Sequence, residues 1–141
     1  MPNTPTTGLF GLLQAADRAE RHVESRLSTA GLSLPKLAVL HQLTMAGDSL
    51  PLGQLADRLS CVKSNVTQLM DRLEIDGLVS RAPDPNDRRS RLAVITDAGR
   101  AAYTRGIKVQ QEAERELFAM LTSEEGAQLA EIISKLDRRQ R

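Results

Sequence analysis

Between Pro51 and Arg100 the chain reads as two short helices, an extended stretch, a turn loaded with arginine, and a second extended stretch. No other segment limits the possible folds so tightly. Elements this short bury their apolar sides only by packing against one another, so the helices and the hairpin belong to one small lobe. The rest of the 141-residue chain must then be organised around that lobe.

Glycine and proline divide the remainder into further elements. After a Pro- and Thr-rich start, Leu9, Leu13, Ala16, Val23 and Leu27 recur near helical spacing, with Leu12 and Ala19 widening the stripe. This predicts a long amphipathic helix ending at Gly31. Ser33 is placed to cap a second helix, with Pro35 in its first turn and Leu37, Leu40 and Leu43 inside, before Gly47 stops it. A third, shorter helix carries Leu52, Leu55, Ala56 and Leu59.

The fourth helix, expected from about Val62 to Asp76, separates its faces at ~100° per residue. Val62, Val66, Leu69, Met70 and Leu73 share one side, and Ser64, Gln68 and Asp71 point the opposite way. Asn65 and Arg72 flank that outer side on one shoulder and Thr67 on the other. The outer face is polar and rich in short hydrogen-bonding groups. Gly77 ends the helix, and Leu78 and Val79 start a strand. The turn formers Asp84-Pro85-Asn86-Asp87 lead into Arg88, Arg89 and Arg91, and Leu92 to Thr96 form the returning strand. Counting Arg81 with these three arginines against Asp84 and Asp87, positive charge concentrates on the hairpin.

Thr96 and Asp97 open a fifth helix with a stripe of Ala98, Ala102, Val109, Ala113, Leu117 and Leu121. Thr122 and Glu125 have the spacing of a capping box and open a sixth helix carrying Leu129, Ile132, Ile133 and Leu136. The expected architecture is therefore mainly α with a small β-hairpin wing. A winged helix-turn-helix spans 32–96, and helical regions at 1–31 and 97–141 flank it. The apolar stripes of helices one, five and six are too long for a small lobe to cover, and a second copy of the chain would bury them.

Composition excludes several function classes. Aromatics are 2% of residues and Trp is absent, so a base-stacking platform or aromatic cage is not expected. Cys61 is the only cysteine, so there is neither an intrachain disulfide nor a Cys-rich zinc site, and a reducing cytoplasm suits the chain. No apolar run approaches the roughly 18 residues of a membrane span, and the N-terminus lacks the basic start of a signal peptide. No Gly-rich phosphate loop, Ser-His-Asp arrangement or metal-bound carboxylate set is present, so we expect no enzyme and no cofactor. His22, His41 and Cys61 are scattered over three elements, and hydrogen-bonded histidines explain them better than a metal does.

The net charge of +1 is uninformative, so a nucleic-acid partner has to be argued from placement. A helix fits the major groove, where Gln or Asn can bond adenine in bidentate fashion, and Gln68 and Asn65 are of that type. Ser64 and Thr67 can reach phosphates or thymine methyls, and Lys63 and Arg72 suit phosphates that fix register. Arg88, Arg89 and Arg91 suit a minor groove, and Asp87 is spaced to hold the Arg89 guanidinium by a charge-assisted pair. Double-stranded DNA is the expected partner. Each part alone fits an ordinary solvated surface; the order helix, turn, helix, strand, basic turn, strand is what points to DNA.

These residues resemble a known family. LGQLADRLSCVKSNVTQLMDRLEIDGLVSR followed by DPNDRRSRLAVITDAG is similar to the MarR family of bacterial transcriptional regulators, including the wing's Asp-x-Arg and the closing Leu/Ile-Thr-x-x-Gly. The resemblance covers nearly the whole chain. It implies a homodimer built through the N- and C-terminal helices, a pseudo-palindromic operator, and repression relieved by a small phenolic or other aromatic effector. Two positions depart from the family pattern: Gln68 stands where Arg is common, hinting at adenine over guanine, and Val62 replaces a frequent capping Ser. Cys61 lies where the family usually has an aliphatic side chain, and its redox-sensing relatives place the reactive cysteine in the first helix. A buried-hydrophobe role is therefore expected for it. His41, Arg18 and Tyr103 are candidates for the effector's surroundings. The alternative is a helical dimer of the same fold that binds small molecules or partners without DNA.

Overall fold

The computed structural model of the chain describes residues 8–59 and 65–139. Its elements are α1 (Leu9–Ser28), α2 (Leu34–Met45), β1 (Ser49–Pro51), α3 (Leu52–Arg58), α4 (Val66–Ile75), β2 (Val79–Pro83), β3 (Arg91–Ile95), α5 (Asp97–Leu117) and α6 (Ser123–Arg139). The chain divides into two compact units. One holds residues Val23–Gln110; the other holds Met1–His22 with Gln111–Arg141.

In the unit Val23–Gln110, the three strands pair antiparallel in the order β1-β3-β2. The short β1 does not figure in the sequence reading. It exists because Gly47 and Asp48 both take left-handed backbone, at φ 81° and 85°, and turn the chain back along β3. Non-glycine residues adopt that region at a cost, and Asp48 is held there at three points. Its N–H donates to Leu43 O at 2.8 Å, its carbonyl accepts from Ile95 N–H at 3.0 Å, and its carboxylate accepts from Arg100 at 2.9 Å. Asp97 also accepts from Arg100, and this hydrogen bond is the largest of the effects that raise the guanidinium's pKa.

The core of this unit is aliphatic. Leu27, Val39, Leu40, Leu43, Leu55, Met70, Leu73 and Ala93 have no exposed surface. Ser33 caps α2, its side chain accepting from Lys36 N–H at 3.3 Å, and Pro35 sits in the first turn, where its missing N–H costs nothing. Gly31 and Gly77 close α1 and α4 with left-handed φ of 74° and 77°, as their positions predict.

The start of α5 is locked onto the base of the hairpin. Thr96 Oγ1 accepts from Gly99 N–H at 3.0 Å and donates to Gly77 O at 2.7 Å, so one hydroxyl caps α5 and ties down the end of α4. Gly99 is needed there: a Cβ would stand 2.1 Å from Leu78 O.

In the other unit, the expected capping box forms around the start of α6. Thr122 Oγ1 accepts from Glu125 N–H at 3.1 Å, and Glu125 accepts from Thr122 N–H at 3.0 Å. Ala113 is buried there. Many large apolar side chains of the unit are not: Leu9, Phe10, Met120, Ile132 and Ile133 are each more than half exposed. Among the described residues no helix is long and apolar enough to cross a membrane.

Candidate nucleic-acid interface

α4 is shorter than its periodicity predicts. It starts at Val66, because Asn65 is extended and caps it, the Asn65 side chain accepting from Gln68 N–H at 3.3 Å. The cap changes what Asn65 can offer. A bidentate bond to adenine needs an amide oxygen as acceptor and an amide nitrogen as donor, and the oxygen here already serves the helix. Gln68, one turn on and exposed, keeps both groups available. Thr67 and Arg72 are exposed too. Leu69, Met70 and Leu73 are buried, as the wheel requires, with Val66 half-buried. Cys61, Val62, Lys63 and Ser64 lie outside the described residues.

A shallow groove of about 280 Å³ runs beside the helix. Gln68 and Arg72 line it from α4, and Ser33, Pro35 and Lys36 from the start of α2. Lys36 is engaged, its Nζ 2.9 Å from Asp76 Oδ2 across the two helices.

The hairpin tip is shaped by its own backbone. Asp84 Oδ1 accepts from Asn86 N–H and Asp87 Oδ1 from Arg89 N–H, both at 2.9 Å, giving two side-chain turns in succession. Ser90 N–H closes the second on Asp87 O at 3.0 Å. The expected role of Asp87 is corrected in its mechanism: its carboxylate holds the Arg89 backbone rather than the guanidinium, because at a spacing of two the N–H lies nearer than the end of a long side chain. Arg88, Arg89 and Arg91 extend from the turn into solvent.

Arg81, grouped by sequence with the other hairpin arginines, does not add its charge to the tip. It pairs with Ala93 across β2 and β3, so its side chain emerges on the face of the sheet that carries the buried Val79 and Ala93. From there it reaches α4, where it forms ion pairs with Asp71, at 3.0 Å, and with Glu74. The tip therefore keeps three arginines against Asp84 and Asp87. Asp71, expected to point straight outward, is tied to the sheet.

The same unit contains a cleft of about 390 Å³ between α2 and α5, with apolar walls from Leu34, Leu37, Ala38 and Ile107 and polar groups from His41 and Gln110. His41 Nδ1 lies 2.8 Å from Tyr103 OH, and the two rings are tilted against each other at 5.8 Å. Two of the three residues named as effector candidates are thus neighbours; Arg18 belongs to the other unit. Among the described residues no cluster of His, Cys, Asp or Glu is placed to hold a metal ion.

Comparison with known proteins gives this geometry its context. Residues 32–90 match the MarR family. The HTH-type transcriptional regulator MhqR of Bacillus subtilis is 31% identical over 91% of this chain and 88% of its own length. The homoprotocatechuate degradative operon repressor of Escherichia coli is 28% identical over 89% and 84%. Among solved structures, a mutant of MarR from E. coli complexed with operator DNA superposes with a TM-score of 0.80 at 27% identity, covering 89% of each chain. By sequence and by fold, this chain belongs to the MarR family of winged helix-turn-helix transcriptional regulators.

Proposed function

We propose that the protein is a homodimeric, ligand-responsive repressor that reads a pseudo-palindromic operator. α4 enters the major groove with Gln68 as its base reader, and the wing places Arg88, Arg89 and Arg91 along the adjacent minor groove. Thr67 and Arg72 contact phosphates beside Gln68, together with Lys63 and Ser64, which precede Asn65 in the sequence and lie outside the described residues. One observation carries this reading: a polar, solvent-facing helix side and an arginine tip belong to one compact unit, on a fold that superposes on a relative complexed with operator DNA. A protein released from DNA has no physical need of both.

Dimerisation is supported by the exposed apolar side chains of the helices outside the winged unit. Leu9, Phe10, Leu13, Ile132 and Ile133 are 53–64% exposed, too much apolar surface on so few turns to face water in a stable chain. A second copy supplies the same helices in return. The cleft beside His41 suits a small aromatic effector: its size is ordinary for a ligand pocket, its walls are apolar, and His41 and Gln110 can bond a phenolic hydroxyl. Repression has its support in the name of the E. coli relative, an operon repressor.

The test begins with operator selection from random duplexes, followed by affinity measured against salt. Sequence-dependent binding that weakens steeply with salt supports the regulator. Arg89→Ala should flatten the salt dependence by about one counterion while leaving base preference in place. Failure to retain any duplex would favour the alternative, a dimer of this fold that binds small molecules without DNA. A reporter driven by the selected operator then gives the sign, since higher output with the protein present would mean activation.

A further inference from the structure

Lys36 on Asp76 and Thr96 on Gly77 tie the C-terminal end of α4; along its length the helix is held on two faces, and only one of them is hydrophobic. Leu69, Met70 and Leu73 press into the core and fix how deep the helix sits. Apolar packing of this kind is non-directional, and a ten-residue helix can roll on such a seat with little loss of buried area. The second hold comes from one side chain. The Arg81 guanidinium pairs with Glu74, lies 3.0 Å from Asp71 Oδ1 and reaches to 3.5 Å from Thr67 O. Positions 67, 71 and 74 stack on a single side of the helix, roughly a third of a turn from the buried side. Arg81 itself is anchored by β2, its side chain 21% exposed and its backbone in register with Ala93.

We propose that Arg81 is a positioning residue for DNA reading: it sets the roll of α4, and through it the aim of Gln68. The inference rests on the reading of α4 as the DNA-reading helix. The magnitudes favour it. Side chains reach about 5 Å from a helix axis, so a roll of about 20° displaces a tip by roughly 2 Å. That exceeds the tolerance of a base hydrogen bond.

The carboxylates make the test sharp, because the two roles predict opposite signs. Removing acidic groups near DNA should by itself strengthen binding to any duplex. If they instead hold Arg81 and thereby aim α4, their removal should weaken binding to the operator alone. Operator and scrambled duplexes are titrated at equal salt with wild type, Arg81→Met, Arg81→Lys and the double variant Asp71→Asn/Glu74→Gln. Arg81→Met and the double variant should each lose about tenfold on the operator, the scale of one base contact, and less than about twofold on the scrambled duplex. Arg81→Lys, which offers one point contact in place of a fork, should fall between wild type and Arg81→Met and keeps the test available if the Met variant unfolds. The proposal is overturned if the double variant binds both duplexes more tightly. It is equally overturned if Arg81 variants lose affinity for both duplexes with a salt slope lower by about one, the mark of a direct phosphate contact. Wild type failing to tell operator from scrambled duplex would remove the regulator reading and this proposal with it. Discrimination kept intact in every variant would remove this proposal alone.

Discussion

The winged unit and the helices outside it treat the same kinds of side chain in opposite ways. In residues Val23–Gln110, leucines at helical spacing are driven inward, and Leu27, Leu40, Leu43, Leu55 and Leu73 have no exposed surface. In the other unit, Leu9, Phe10, Met120, Ile132 and Ile133 stand more than half exposed. The first unit completes a core with its own chain. The second has apolar faces that one chain leaves uncovered, so its stability is expected to depend on association. Losses in the winged unit should therefore appear as unfolding or misreading at any concentration, and losses in the other as weakened assembly.

The largest effect should come from Leu73→Ala. Truncating a fully buried leucine costs about 2–5 kcal/mol, and chemical denaturation should show that loss undiminished at higher protein concentration. Recovery on concentrating the sample would mean that the winged unit, too, leans on a partner. Ile133→Ser should do the reverse. Each isoleucine buried in an interface contributes about 1.5–3 kcal/mol, so sedimentation should show a dimer dissociating at tenfold or higher concentration. An unaltered dissociation constant would take Ile133 out of the interface. Gln68→Ala should leave both stability and assembly alone and cost about 1–3 kcal/mol of discrimination at one base of each half-site. Uniform weakening over all operator variants would contradict base reading. The smallest change is expected from Thr122→Ala, which removes one half of the capping box and should lower thermal stability by about 1 kcal/mol. No shift would show that α6 is fixed by packing alone.

Much of the fold is legible locally. Gly31, Gly47 and Gly77 mark three turns because only glycine takes left-handed backbone without penalty, and each adopts it. Thr122 with Glu125 and Ser33 with Lys36 are caps whose partners lie three residues away, inside any reading window. The misplacements involve competition or distance. α4 begins at Val66 because the Asn65 side chain captures the Gln68 N–H, whereas apolar periodicity continues back to Val62. β1 escapes notice because three residues are too few for alternation to stand out; its partner, β3, is more than 40 residues away. Asp87 lies in the wing turn, where its short side chain bonds the nearest N–H before it bonds a distant guanidinium.

Arg81 shows the division most plainly. By sequence it is one more arginine beside a basic turn. Strand register pairs it with Ala93, and that parity turns its side chain toward α4 and away from the hairpin tip. His41 and Tyr103 likewise meet only through the packing of α2 and α5. The sequence by itself determined every element but β1, the caps of α2 and α6, the glycine stops, the family, and which face of α4 is polar, because those depend on periodicity and on bonds spanning a few residues. Tertiary structure alone decided which charges remain available, how the reading helix is braced and where the cleft opens. Each of those depends on side chains that the chain brings together from far apart.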